Sequence, residues 1–269
     1  MAYHKYHAEI MAFLARCEEM ARAVEDIVQD LVARPEGGRV VRTGASGTPT
    51  RQIDQAAEDW IVEYIGTHAL CRTLVSEECG KRENMGGERG TIFLDPVDGT
   101  HNALAGIPFY ALSIAYAEEG TVRQGFVRDL AHHETFTAER GKGAFRDGRP
   151  IRVSRTMLLE ESAMSVYGRK FNPAPVLFLG QKIRRWRLLG ASALELCYVG
   201  SGRLDGFIDL RATLRVTDAA AGMLVCEEAG GKVSDLDGRG ISFPDEVTVG
   251  KCLVASNGTL HGKVIEYLR

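Results

Sequence analysis

The chain has 269 residues, 45% of them hydrophobic and 26% charged, which is globular composition with length for one large core or two joined ones. Its formal net charge of −3 supplies no general attraction for nucleic acid, and the basic clusters Lys81, Arg82, Arg89 and Lys182, Arg184, Arg185, Arg187 are the solvated surface charge most proteins carry. No apolar run approaches the length of a membrane span, and charges interrupt the first twenty residues, so neither a span nor a leader is expected and a cytoplasmic location is.

Residues 8–33 place Phe13, Leu14, Cys17, Met20, Val24, Val28 and Leu31 at helical spacing, and Pro35-Glu36-Gly37-Gly38 ends that helix. VVRTGASGTPTRQ is a Gly/Ser/Thr-rich, mobile loop between short strands. A second helix spans 52–69, with Asp54 in its first turn. TLVSEE is a short strand ending in acids, KRENMGGERG a polar loop, and TIFLDP another strand ending in acid. From Tyr110 to Val153, alternation broken at Glu119-Gly120, Gly141-Lys142-Gly143 and Asp147-Gly148 predicts an antiparallel meander. His132 and His133 fall in a turn of it as surface residues. Beyond it, strands are expected near 162–167, 204–209, 231–235 and 251–255, and helices near 192–201 and 218–229. The pattern divides into residues 1–155, with the helix pair and meander, and 156–269, with the two halves sharing one site. The six cysteines (Cys17, Cys71, Cys79, Cys197, Cys226, Cys252) include no C-x-x-C pair and are expected as small buried side chains rather than a zinc site or disulfides.

Three segments share one design, in which an apolar stretch ends in carboxylates: LVS-Glu77-Glu78, FL-Asp95-Pro96-Val97-Asp98 and LRVT-Asp218. Converging carboxylates repel one another and resist ionisation unless a cation neutralises them, and hard oxygen donors suit Mg²⁺ or Mn²⁺. Pro96 stiffens the turn between its two acids. A helix starting at Gly99-Thr100 would leave free amides beside the acids, as a phosphate ester requires. Taken one at a time, D-x-x-D-G is most simply a turn, Glu77-Glu78 a solvated strand end and Asp218 a helix cap; their joint occurrence carries the metal reading.

At these residues the chain resembles the inositol monophosphatase family of Mg²⁺-dependent, Li⁺-sensitive phosphatases. The motif D-P-[ILV]-D-G-[ST] stands as Asp95-Pro96-Val97-Asp98-Gly99-Thr100, D-x-A-A-G as Asp218 to Gly222, and E-A-G-G as Glu228 to Gly231. GTPTRQIDQAAED, GIPFYALSI and GASALELCYVGSGRLDGFIDLR are similar to the archaeal-type subgroup, which combines inositol monophosphatase and fructose-1,6-bisphosphatase activities.

The resemblance implies an α+β fold, a layered αβαβα sandwich, and a homodimer. It implies two to three metal ions: Glu77, Asp95 and the Val97 carbonyl at the first, Asp95, Asp98 and Asp218 at the second, and Glu77 with water at a weak third. It assigns Asp54 and Thr100 to the attacking water, the Gly99 and Thr100 amides to the phosphate, and Asp209, Gly190, Ala191 and Ser192 to the sugar or inositol. A second phosphate would meet Arg211, Tyr167, Arg169 and Lys170. Thr217 and His101 depart from the commoner residues at their positions, and the GASGTPTRQ loop lacks the lysine that some relatives carry, for which Arg42 is the expected substitute. The expected reaction is direct hydrolysis of inositol-1-phosphate or fructose-1,6-bisphosphate without a phosphoenzyme. The rivals are an aspartyl-phosphate phosphatase, which the D-x-x-D spacing disfavours, a 3′-phosphoadenosine 5′-phosphate phosphatase of the same fold, and a metal-dependent binding module without activity.

Overall fold

A computed structural model of the chain describes residues 2–168 and 173–269, so Arg169 and Lys170 lie outside the described residues. Helix α1 (Ala2–Val32) begins six residues before the expected start. The glycine-rich segment after it folds as a hairpin of β1 (Val40–Thr43) and β2 (Pro49–Arg51), leading into α2 (Gln52–Thr67). The first acid-tipped strand is β3 (Thr73–Ser76), and KRENMGGERG is in part a strand, β4 (Gly80–Glu83), antiparallel to it. Its polar residues are tolerated because β4 is the edge of the sheet, where one face and one flank meet water. Then come β5 (Thr91–Asp98) and the short α3 (Thr100–Ala105).

The meander is β6 (Ala111–Glu118), β7 (Thr121–Asp129), β8 (Thr135–Glu139), β9 (Gly143–Arg146) and β10 (Arg149–Pro150), turning near the glycine pairs that predict it. The remaining elements are β11 (Ala163–Tyr167), α4 (Pro173–Gly180), β12 (Arg185–Arg187), α5 (Ser192–Gly200), β13 (Gly206–Leu214), α6 (Val216–Glu228), β14 (Lys232–Ser234), β15 (Lys251–Ser256) and α7 (His261–Leu268). Sequence periodicity did not separate α4, α7 and β12, which are at most eight residues long. Short apolar runs of this kind fit either period.

Two sheets result. Eight strands run in the order β10-β9-β8-β7-β6-β5-β3-β4 and five in the order β12-β11-β13-β15-β14. Period-two alternation assigns each face. Leu74, Ile92, Leu94 and Ile114 of the larger sheet pack on Met20, Val24, Ile53 and Ile61 of α1 and α2. On its other face Val75, Phe93, Ala115 and Val127 pack on Leu194, Cys197, Ala220 and Leu224 of α5 and α6. The reverse side of that helix pair, with Leu196, Val199 and Ala219, meets Phe207, Leu253 and Ala255 of the smaller sheet. The next residue in each strand, Ile208 and Val254, faces outward to Val176 and Leu179 of α4 and Val264 and Ile265 of α7. The layers are thus αβαβα. The six cysteines are free thiols, four of them buried.

The middle helix layer depends on a close approach. A Cβ on Gly222 of α6 would lie 2.7 Å from the Ala193 carbonyl oxygen and 2.7 Å from Leu196 Cβ of α5. Gly222→Ala is expected to destabilise the protein by about 1–3 kcal/mol, because the helices must separate to admit the methyl group; urea denaturation measures this.

A second device pins α7. The ring nitrogens of His261 meet two hydroxyls, Nε2 2.8 Å from Ser234 Oγ and Nδ1 3.0 Å from Ser256 Oγ. Burial, reinforced by Lys232, lowers its pKa from 6.5 to about 4. Between those values the unfolded chain binds the proton and the folded chain does not, so this residue removes stability as pH falls from about 6.5 toward 4. His261→Gln is expected to melt less steeply with pH across that window, as read by calorimetry.

Candidate metal centre

Strands β3 and β5 are parallel neighbours with Ser76 opposite Leu94. Their carboxyl ends therefore open on the same side, and the next residues, Glu77 and Asp95, come together. The Glu77 amide continues the ladder by donating to the Leu94 carbonyl at 3.1 Å. Alternation sets which acid of each pair faces inward. Val75 lies on the face toward α6, so Glu77 does too; Leu74, Ser76 and Glu78 take the opposite face, toward α2. On β5 the same rule puts Asp95 with Phe93, facing α6.

The two glutamates consequently separate, which the shared strand-end reading of Glu77-Glu78 did not anticipate. Glu78 accepts a hydrogen bond from Thr50 on the β2 side, and burial pushes its carboxyl up to about 7. Buried Glu58 of α2 fixes the chain between them. It accepts from the Ser76 hydroxyl and from the amides of Glu78, at 3.2 Å, and Cys79, at 3.0 Å. Arg42 joins this rear network, donating to the Glu78 carbonyl at 2.7 Å and to Gln55 at 2.5 Å. The β1–β2 hairpin closes over it through the Ala45 amide, 2.9 Å from the same carbonyl.

Asp218 arrives from the other half of the chain. It is not a strand-end residue, since β13 stops at Leu214 and Asp218 is the third residue of α6. There it caps the helix start by accepting from the Arg215 amide at 3.1 Å. Thr217 donates to it at 3.1 Å. Glu77, Asp95 and Asp218 each bring a carboxylate oxygen within 4.8 Å of the other two. Asp98 stands at the same corner but faces α5, where its Oδ2 accepts the Ala193 amide at 2.7 Å. Burial first, and then the neighbouring acids, hold the carboxyls of Asp95 and Asp98 well above the usual range. Glu77 is raised by burial and by Asp218 against the opposing pull of Arg215.

Sequence reasoning overlooked Arg215. Its guanidinium sits in the cluster, with Nη1 2.6 Å from Glu77 and Nη2 3.0 Å from Asp218. A signal existed, because Arg51-x-x-Asp54 and Arg215-x-x-Asp218 are the same helix start used twice. The cluster sets four acids against this one guanidinium, all donors are hard oxygens, and they come from three separate segments, at the ends of β3 and β5 and the start of α6. A small divalent cation fits that donor set.

Beside the acids, Thr100 Oγ1 lies 2.7 Å from Asp54 Oδ1 and 3.0 Å from the Val97 carbonyl oxygen. Asp54 is held in turn by the Arg51 amide at 3.2 Å, and burial raises its carboxyl to about 6. Gly99 has φ +94° and packs tightly, its missing Cβ position 3.1 Å from Ala191 Cβ and 3.1 Å from the Gly190 carbonyl oxygen. Gly190, Ala191 and Ser192 therefore border the same corner, and Asn102 ties them down by donating to the Leu189 carbonyl at 2.7 Å.

Farther along β13, Asp209 is fully buried and accepts from Arg211, whose guanidinium also lies 4.1 Å from the centre of the Tyr167 ring. Tyr167 donates to Glu195 at 2.7 Å. His101 is exposed. His132 and His133 lean on different acids, Asp129 at 3.0 Å and Glu25 at 2.8 Å, away from the cluster.

Comparison with known proteins agrees with this geometry. The profile of the inositol monophosphatase family matches residues 11–269. The chain is 39% identical to the fructose-1,6-bisphosphatase/inositol-1-monophosphatase of Methanothermobacter thermautotrophicus, covering 93% of this chain and 94% of that one. It is 35% identical to the bifunctional NADP phosphatase/NAD kinase of Methanococcus maripaludis, over 95% of this chain and 49% of that longer protein. The solved structure of the Thermotoga maritima IMPase superposes with a TM-score of 0.80 at 31% identity, covering 96% of each chain. The chain belongs to the inositol monophosphatase family, whose members are metal-dependent phosphatases.

Proposed function

We propose that this chain is a Mg²⁺-dependent phosphomonoesterase acting on inositol-1-phosphate and fructose-1,6-bisphosphate, with Mn²⁺ as the alternative ion. The observation that carries the reading is the convergence of Glu77, Asp95 and Asp218 within 4.8 Å, with the hydrogen-bonded pair Asp54–Thr100 beside them. Glu77, Asp95, Asp98, Asp218 and the Val97 carbonyl would hold two to three ions. Bound there, the ions supply Lewis-acid stabilisation of the phosphoryl oxygens and a lowered water pKa.

The chain's own groups do the positioning. Asp54 accepts the Thr100 hydroxyl proton in its hydrogen bond, which leaves the lone pairs of Thr100 Oγ1 free to orient the attacking water. The amides of Gly99 and Thr100 receive the phosphate. Gly190, Ala191, Ser192 and Asp209 border the alcohol portion. A second phosphate would meet Arg211, which stacks on Tyr167, guanidinium being the group suited to forked phosphate capture; Arg169 and Lys170 are assigned to it from the sequence alone.

Thr100→Ala is expected to lower kcat by about 100-fold or more while leaving Mg²⁺ affinity near that of the unaltered protein. Phosphate release and calorimetric titration measure the two quantities, and near-normal turnover would remove Thr100 from the reaction. Release from inositol-1-phosphate, fructose-1,6-bisphosphate, 3′-phosphoadenosine 5′-phosphate and NADP, with Mg²⁺ and with added Li⁺, tests the substrate class. Preference for a nucleotide would overturn the assignment, and absence of release from all four would leave a binding module. Inhibition by Li⁺ is expected.

We also propose a cytoplasmic homodimer. Among the described residues no helix is long and apolar enough to cross a membrane. Leu177, Phe178, Trp186 and Leu188 are exposed on α4 and around the edge strand β12, the kind of surface that a second copy covers.

A further inference from the structure

The fork of Arg215 holds the oxygens that a metal ion would use. Nε lies 3.1 Å from Asp218 Oδ2 and Nη2 3.0 Å from Asp218 Oδ1, so both oxygens of that carboxylate face one guanidinium. Nη1 lies 2.6 Å from Glu77 Oε1. Of the three converging acids, only Asp95 has no close ion pair with it. The side chain is 18% exposed, so solvent screens these pairs weakly. Its main chain is fixed, because Arg215 is the residue preceding α6 and its amide is held by Asp218. The stem above that anchor has several rotatable bonds, so the guanidinium is not tied to the helix as the amide is.

We propose that Arg215 is an internal counter-cation. With no metal bound, its guanidinium neutralises Glu77 and Asp218; a divalent cation enters by displacing it, so Arg215 sets the affinity of the centre. The inference rests on the reading of these carboxylates as divalent-cation ligands. Two features support competition over a static ion pair. The guanidinium and the ion need the same oxygens of Asp218, and two cations sharing them would repel each other at close range. The pair also spans Glu77 and Asp218, which lie more than a hundred residues apart, so it links the end of β3 to the start of α6.

A thermodynamic cycle then links two measurements. An interaction made only in the metal-free state stabilises that state and weakens metal binding by the same free energy. For Arg215→Met, titration calorimetry should show Mg²⁺ and Mn²⁺ binding about tenfold tighter or more, the scale of the charged hydrogen bonds removed. In EDTA the variant should melt about 3 °C or more below the unaltered protein, and in saturating Mg²⁺ the two should melt together. Arg215→Lys, which keeps the charge but loses the fork, should shift the same way by less and guards against a Met variant that does not fold.

Unchanged affinity, or an equal loss of melting temperature with and without Mg²⁺, would make Arg215 a plain structural residue and overturn the proposal while leaving the proposed function intact. Absence of Mg²⁺ and Mn²⁺ binding in every protein, the unaltered one included, would overturn both.

Discussion

Mutual repulsion among buried carboxylates is the constraint around which this molecule is arranged. Glu77, Asp95 and Asp98 are brought together with Asp218, and burial makes the charge of the first three unfavourable. Such a cluster persists in a stable fold only with compensating positive charge. Arg215 supplies part of it, the amide of Ala193 at the start of α5 supplies a further partial charge to Asp98, and under the proposed function a dication would supply the rest. Structure and reactivity here share one electrostatic cause.

The scaffold meets that constraint through its apolar layers. Glu77 and Asp95 face α6 because the strands that lead to them are buried on both faces, which fixes the side each residue takes. The helix pair α5–α6 fills one side of the larger sheet, and Gly222 lets those helices touch. The rear of the same strands is stiffened by polar groups with no part in the cluster. Glu58 gathers donors from Ser76, Glu78 and Cys79, and Arg42 and Thr50 complete that shell. A carboxylate that must hold an ion in a fixed geometry needs such backing, since its own strand has already ended.

Family membership and geometry address different parts of the function. Membership gives the reaction class. The proteins similar to this chain bear names that specify sugar bisphosphate, inositol phosphate and NADP as substrates, so membership alone leaves the alcohol open. The residues that would discriminate, Asp209, Arg211, Tyr167 and Glu195, form a chain of contacts beside the centre. Under the proposed function, that arrangement would govern how far Arg211 can turn toward a second phosphate.

By itself the sequence determined the long amphipathic helices, the meander with its glycine turns, and the acids that close apolar runs, because those depend on local periodicity and turn chemistry. The pairing of Asp54 with Thr100 came from likeness to a family, since no local pattern connects residues 46 apart. Only the tertiary structure decided which way Glu77 and Glu78 point, because that follows from which face of β3 each layer covers. It also decided that Asp218 sits within the first turn of α6 rather than at a strand end, and that Arg215 enters the cluster. A guanidinium on a long flexible stem has no periodicity to announce its partner; its place is set by where the unbalanced negative charge accumulates once the layers have packed.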